Sequence, residues 1–422
     1  MMKDLHLDIH YVTRLEGHGN IVVNVKDGKL EEYRWEIPEA PRFFEAMVRG
    51  RRYDEAPHIT SRICGICSIG HTLASVQGIE AAIGVRPSEQ TLLLRKLALH
   101  GETLQSHILH VGYLVVPDLL GVNSVIPLVG THKEAVLLIV RLHRLANEMS
   151  DLICGRTTHP INIAINGWTR LPTVKELQWL RQRLVDAIPD LKTLVSVVQT
   201  LQLPAFERET EYLALKHPDE YAFYEGDIAS TDGDVTPVSQ YKSKVKEFIV
   251  QYSTAKRARG NRHSLAVGAL ARFNNNYAQL SPLAQQVAAA LGLKAVCCNP
   301  FMNNVAQVVE CAHAVEDSIR LIDELLAKGI KEEDRHVEVQ AGSGVGGVEV
   351  PRGTLYHEYT LDEQGTIVGC NLIIPTAQNH QNIEDDIGTY LPQLLDRPDE
   401  EIALKLQMLV RSYDPCISCS TH

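Results

Sequence analysis

Two Cys-x-x-Cys pairs, Cys64-Gly65-Ile66-Cys67 and Cys416-Ile417-Ser418-Cys419, stand at opposite ends of the 422-residue chain, the second just before the terminal His422. Four thiols in this pattern are ligands for a soft metal ion, because thiolate selects such ions over hard cations. A structural zinc site usually draws its cysteines from one short local unit, where closure costs least. Here almost the whole chain lies between the pairs, and closing so long a loop costs about 5 kcal/mol of chain entropy, which thiolate–metal bonds can offset. The spacing therefore predicts one metal centre buried inside a large protein rather than two independent clips.

The elements that must bring the pairs together are mostly helices. Val174, Leu177, Leu184, Ile188, Leu191, Val195 and Val198 form one helical stripe, and Val305, Val308, Val309, Ala312, Val315, Ile319, Ile322 and Leu326 form another. Residues 19–37 alternate apolar and polar on both sides of Asp27-Gly28, a β-hairpin signal. Strand-like alternation returns between Val348 and Ile374, and a last helix runs from about Pro398 to Arg411. The expected fold class is mainly α with small antiparallel β sheets (α+β), a central long-helix bundle with peripheral hairpins. We expect one domain over 1–422. Within it we place an N-terminal hairpin region at 6–37, a helical core at 60–203 and 241–330, a peripheral insertion at 205–240 and a metal-closing region at 336–422.

Composition narrows the function. Apolar residues at 45% and charged residues at 22% suit a globular protein, and a net charge of −11 argues against nucleic acid or an anionic membrane as the main partner. No run approaches about 18 apolar residues, so no membrane span is expected. Nine cysteines with no secretory signal ahead of them suggest reduced thiols in a cytoplasmic setting.

The flanks of the cysteines are specific. Arg62-Ile63-Cys64-Gly65-Ile66-Cys67-Ser68-Ile69-Gly70-His71 and Asp414-Pro415-Cys416-Ile417-Ser418-Cys419-Ser420-Thr421-His422 together resemble the large subunit of nickel-iron hydrogenases. The resemblance extends to Arg14-Leu15-Glu16-Gly17-His18, Gly268-Ala269-Leu270-Ala271-Arg272, Pro351-Arg352-Gly353 and Pro375-Thr376-Ala377-Gln378-Asn379, so it spans nearly the whole chain. It implies that Cys64, Cys67, Cys416 and Cys419 bind nickel, with Cys67 and Cys419 bridging to an iron that carries carbon monoxide and cyanide. The implied reaction is the reversible conversion of H2 to two protons and two electrons.

Further roles follow from the same resemblance. Glu16 corresponds to the carboxyl beside the terminal nickel thiolate, Cys416, and would take the proton released from H2. Arg352 would act by its charge over the open metal position, since an ordinary guanidinium stays protonated. Thr376 and Arg352 would hydrogen-bond the cyanides, and His71 the bridging sulfur of Cys67. Asp414 and Asp118 resemble carboxylates that pair with the active-site arginine. Glu45, the carbonyl of Leu372 and the imidazole of His422 would bind Mg2+ with water. Family precursors lose a tail after the equivalent histidine, so an end at His422 looks like the processed form.

Other features carry plainer readings. Gly342-Ser343-Gly344-Val345-Gly346-Gly347 lacks the spacing of a phosphate loop and is expected to let backbone approach the metal site. Cys154, Cys297, Cys298, Cys311 and Cys370 are expected to be small buried residues. His107 and His110 could hold a metal or a hydrogen bond. No further cysteine motif could house an iron-sulfur cluster, so electrons must leave through another chain: an iron-sulfur small subunit, with further subunits serving NAD(P), a deazaflavin or a disulfide reductase. The competing readings are a metal-free quinone-module subunit related to respiratory complex I, which would lack the cysteines, and a structural zinc protein.

Overall fold

A computed structural model describes residues 3–422. The chain opens with a three-stranded antiparallel sheet of β1 (Leu5–Ile9), β2 (Asn20–Lys26) and β3 (Lys29–Glu36), in that order. The β2–β3 turn puts both Asp27 (φ 48°) and Gly28 (φ 72°) in the left-handed region, the geometry of a two-residue hairpin loop. Alternation aims Ile21, Val23, Val25 and Trp35 inward.

A helical bundle follows, formed by α1 (Ser68–Ile83), α2 (Glu89–Leu109), α3 (Lys133–Cys154), α4 (Val174–Gln199) and α5 (Asn303–Lys328). Helix α2 packs on α3 and α5, and α4 packs on the same two. Thr173 starts α4 with a reciprocal cap: its hydroxyl accepts from Glu176 N–H at 3.2 Å while the Glu176 carboxylate accepts from Thr173 N–H at 2.8 Å. Beyond α2 the helix widens into a π-helical turn over His110–Val115, which re-aims the residues that follow, Asp118 among them.

The C-terminal third holds an antiparallel sheet of β4 (Gly342–Val350), β5 (Gly353–Leu361) and β6 (Ile367–Ile373), then α6 (Pro375–Tyr390) and α7 (Asp399–Ser412). Helices α6 and α7 cover the inner face of the N-terminal sheet, with Ile383, Ile387 and Leu406 packed in one core with Ile21, Val23 and Trp35. Helix α1 lies directly on β4. The glycine run is what permits this: a Cβ on Gly346 would fall 2.1 Å from the Ala74 carbonyl oxygen. The backbone approached is therefore that of α1, the helix following Cys67, rather than the metal site itself.

Two expected boundaries change. Residues 205–240 are not a peripheral insertion. Strands Glu211–Lys216, Asp227–Ser230 and Val235–Thr236 join a four-stranded sheet with Leu265–Ala266, and Tyr221, Phe223 and Tyr224 are buried against the bundle. The aromatic residues are core and the turn signals are hairpin turns. Likewise 241–268 is mostly short strands and loops, and helix resumes at Ala269.

Candidate metal centre

Cys64 follows a turn of 3-10 helix in extended conformation, and Cys67 lies at the N-terminus of α1, where its N–H points back to Cys64 Sγ at 3.1 Å. The second pair is carried by a single helical turn, Ile417–Ser420, entered through Asp414 in a left-handed conformation (φ 51°). This segment is held from the N-terminal side. Ile417 N–H donates to the Glu16 carbonyl at 2.9 Å, and a Cβ on Gly17 would fall 2.6 Å from the Ile417 Cβ, so only glycine fits. Arg42 joins the two cysteine segments by donating to the carbonyls of Ile63 (2.7 Å) and Ser418, while its own N–H donates to the Thr421 carbonyl at 2.7 Å.

The four sulfurs meet. Cys64 and Cys416 are 3.6 Å apart, Cys67 and Cys419 3.5 Å, and Cys416 and Cys419 2.8 Å, with all four within 4.8 Å of one another. All are buried free thiols. Burial would raise the Cys64 thiol, but hydrogen bonds from Cys416, Cys419 and Cys67 and the charge of Arg352 hold it well below its ordinary value. Burial pushes Cys67 and Cys419 well above theirs. Four thiolates cannot share a dry pocket without compensating positive charge, so a soft cation fits the donor set.

Charged groups surround the sulfurs. Glu16 Oε2 accepts from Cys416 Sγ (3.3 Å) and from Ser418 N–H (2.9 Å), and its other oxygen accepts from the Ser418 hydroxyl. Arg352 is buried, donating to the Asp414 carbonyl (2.7 Å), the Asp414 carboxylate (2.8 Å) and Ser106 Oγ (3.3 Å). Burial opposes its charge, but the Asp414 carboxylate and the neighbouring cysteine sulfurs hold it well above the ordinary arginine value, so it stays a cation. Thr376 Oγ1 accepts from Cys416 N–H at 3.1 Å. His71 meets His357 through Nδ1 at 3.2 Å, and its buried Nε2 has no hydrogen-bond partner among the described residues.

Asp118 is the correction. Its carboxylate pairs with Arg411 (2.6 and 2.9 Å) and with Arg14, whereas Arg352 pairs with Asp414. Arg14 also donates to the Leu114 carbonyl at 2.8 Å, so Asp118 ties the loop bearing Glu16 to the π-helical turn and to α7.

Glu45, Leu372 and His422 form a second cluster: Glu45 Oε1 accepts from Leu372 N–H at 2.9 Å, and His422 lies 2.9 Å from the Leu372 carbonyl and 3.0 Å from that of Cys419. Lys256 Nζ stands 3.7 Å from Glu45, in a cavity of about 300 Å³. His107 and His110 are hydrogen-bonded, to Glu310 (2.7 Å) and to Gln307 (2.6 Å). Cys154, Cys311 and Cys370 are buried, but Cys297 and Cys298 are partly exposed.

Sequence reasoning missed several supports. Arg272 donates to Glu310 and Glu349 and to the carbonyls of Val350 (2.8 Å) and Pro351 (3.0 Å), which fixes the turn that presents Arg352. Glu102 accepts from the N–H groups of Ile69 (2.7 Å) and Gly70 (3.1 Å) at the start of α1. The only signal for Glu102 was its charge within a helix that buries nearly every residue around it.

The family model for nickel-dependent hydrogenases matches residues 42–131 and 206–422, and the chain belongs to that family. Sulfhydrogenase 1 subunit alpha of Pyrococcus furiosus is 34% identical, over 100% of this chain and 99% of the relative. The NAD-reducing hydrogenase HoxS subunit beta of Cupriavidus necator is 28% identical over 99% of this chain and 94% of the relative. Among solved structures, a chain of an H2-reduced NAD+-reducing NiFe-hydrogenase superposes with TM-score 0.89 at 25% identity, covering 99% of both chains. The protein is the catalytic large subunit of a nickel-iron hydrogenase, an oxidoreductase acting on H2 through a nickel-iron site held by the four cysteines. The quinone-module and structural-zinc readings fall with that match.

Proposed function

We propose that this chain carries out H2 oxidation and its reverse with Glu16 as the first proton acceptor, Arg352 as a fixed cation beside the centre, Asp414 as the group that holds Arg352, and Thr376 as the group that holds the Cys416 backbone. The observation that carries this reading is the contact between Glu16 and Cys416, at 3.3 Å, beside four converging sulfurs. A nickel-iron centre held by Cys64, Cys67, Cys416 and Cys419 would supply a redox-active Lewis acid for H2. The polypeptide handles the proton. Glu16 is half-buried, so a proton taken beside Cys416 is carried toward the outer surface rather than deeper into the core. Arg352, held by Asp414, favours negative charge developing at the sulfurs and never competes for the proton.

Carbon monoxide and cyanide on iron belong to the same proposal, with Thr376 and Arg352 as donors to the cyanides. Glu45, Leu372 and His422 would hold Mg2+ with retained water, displacing the Lys256 ammonium from Glu45. An iron-sulfur small subunit would take the electrons, with NAD(P)-, deazaflavin- or disulfide-reductase-linked subunits beyond it; among these acceptors the relatives' names carry NAD, in the NAD-reducing HoxS subunit, whereas another relative is named F420-non-reducing. We place the assembly in the cytoplasm and treat residues 1–422 as one domain. No helix of the described residues is long and apolar enough to cross a membrane.

Elemental analysis of the purified complex tests the core of this reading. One nickel and one iron per chain, with infrared bands of metal-bound carbonyl and cyanide, are expected. Stoichiometric zinc without nickel would defeat it.

A further inference from the structure

His71 is joined to a line of buried polar groups that the reaction does not require. His71 and Ser75 are one turn apart on α1, and His357 and Tyr359 are two residues apart on β5, so each pair shares a face of its element. The close packing of α1 on the sheet sets these faces together. His71 Nδ1 lies 3.2 Å from His357 Nε2, His357 Nδ1 lies 3.0 Å from Tyr359 Oη, and the Ser75 hydroxyl donates to Tyr359 Oη at 2.9 Å. All four side chains are fully buried. At the other end, His71 Nε2 has no hydrogen-bond partner among the described residues.

Each ring-to-ring and ring-to-hydroxyl contact holds one hydrogen, so the line has two self-consistent registers. In one, Tyr359 donates to His357 Nδ1, His357 donates from Nε2 to His71 Nδ1, and His71 carries its hydrogen on Nε2. In the other, every hydrogen is reversed: His71 donates from Nδ1 to His357 Nε2, His357 donates from Nδ1 to Tyr359 Oη, which already accepts from Ser75, and His71 turns a bare lone pair outward. Lone pair against thiolate is repulsive, while N–H toward thiolate is a charge-assisted hydrogen bond. A buried imidazole nitrogen left unpaired is costly, and a sulfur acceptor removes the cost.

We propose that His357, Tyr359 and Ser75 are positioning residues that fix the tautomer of His71, so that its Nε2 carries the hydrogen and offers it to the sulfur side of the metal centre. The inference rests on the nickel-iron reading of the four cysteines and adds three residues that the motifs do not contain. The relay also explains why a tyrosine hydroxyl is fully buried beneath α1.

Nitrogen-15 NMR of histidine-labelled, nickel- and iron-loaded protein in a diamagnetic state reads the tautomers directly. His71 and His357 are both expected with hydrogen on Nε2, and His71 with hydrogen on Nδ1 would overturn the relay. Tyr359→Phe removes the donor to His357 Nδ1. A resolved Nδ1–H form of His357 is expected to emerge, together with a shift in the infrared bands of the iron-bound ligands. Tautomers unchanged in that variant, at normal metal content, would overturn the proposal. Metal analysis of the same samples separates the two failures, since absent nickel and iron would defeat the metal reading instead.

Discussion

Glu16 and Cys416 meet twice. Their backbones pair as a one-residue parallel bridge, and the carboxylate of one accepts from the thiol of the other. The bridge fixes the side-chain contact, so the proton acceptor is placed by the same hydrogen bonds that dock the C-terminal ligands.

Replacing Glu16 with glutamine keeps the shape and an acceptor for Ser418 N–H but removes proton uptake. Glu16→Gln is expected to retain nickel and iron while H2/D2O exchange falls by roughly 10²–10⁴-fold, the usual worth of a positioned acid–base group. Exchange at the wild-type rate would remove Glu16 from the relay.

Cys419→Ser replaces a soft donor with a hard one 3.5 Å from Cys67 Sγ. The variant should fold and show a normal circular dichroism spectrum yet lack the bimetallic centre by elemental analysis. Full metal content with turnover would contradict the bridging assignment.

Arg272 neutralises two buried carboxylates. Burial would raise Glu310, but Arg272 and His107 hold it far below the ordinary carboxyl value. Arg272→Met leaves Glu310 and Glu349 buried without their cation, which should cost about 3–5 kcal/mol, read as a lowered thermal midpoint. A midpoint within a degree or so of wild type would show that the network is not structural.

Glu102 gives a pH signature. Burial raises its carboxyl to about 8 from an ordinary 4.5, despite the Gly70 and Ile69 N–H groups, so the folded state binds its proton more tightly than the unfolded one. The stability this confers is complete below about 4.5 and is lost as pH rises through about 8, a swing on the order of 5 kcal/mol. In metal-free protein, Glu102→Gln should flatten the thermal midpoint over that window. An unchanged slope would show that Glu102 does not supply the swing.

The metal ligands were legible because thiol chemistry leaves a compact mark: two Cys-x-x-Cys pairs with specific flanks. Helices were legible for a similar reason, since the stripes of α4 and α5 repeat over many turns. Partner choice among charges was not. Asp118 and Asp414 are both acids near the motifs, and nothing local says that Arg411 and Arg14 take one while Arg352 takes the other. The segment around Tyr221 and Phe223 misled because its charges and turns mark surface loops, while its aromatic rings pack on α5 against His313. The glycines of β4 pointed rightly to close backbone approach, but only the fold could say that α1 was what they approached.

Arg42 grips both cysteine segments at once, and the terminal turn it clasps is itself half of the ligand set. The pocket is thus closed by its own contents. Bound metal ions would be released when Cys416 and Cys419 lift away, which means breaking the Arg42 latch and the Glu16 bridge together. Retention of the ions therefore becomes a matter of how seldom that flap opens, and an external chelator should strip them at a pace set by the opening rather than by its own concentration.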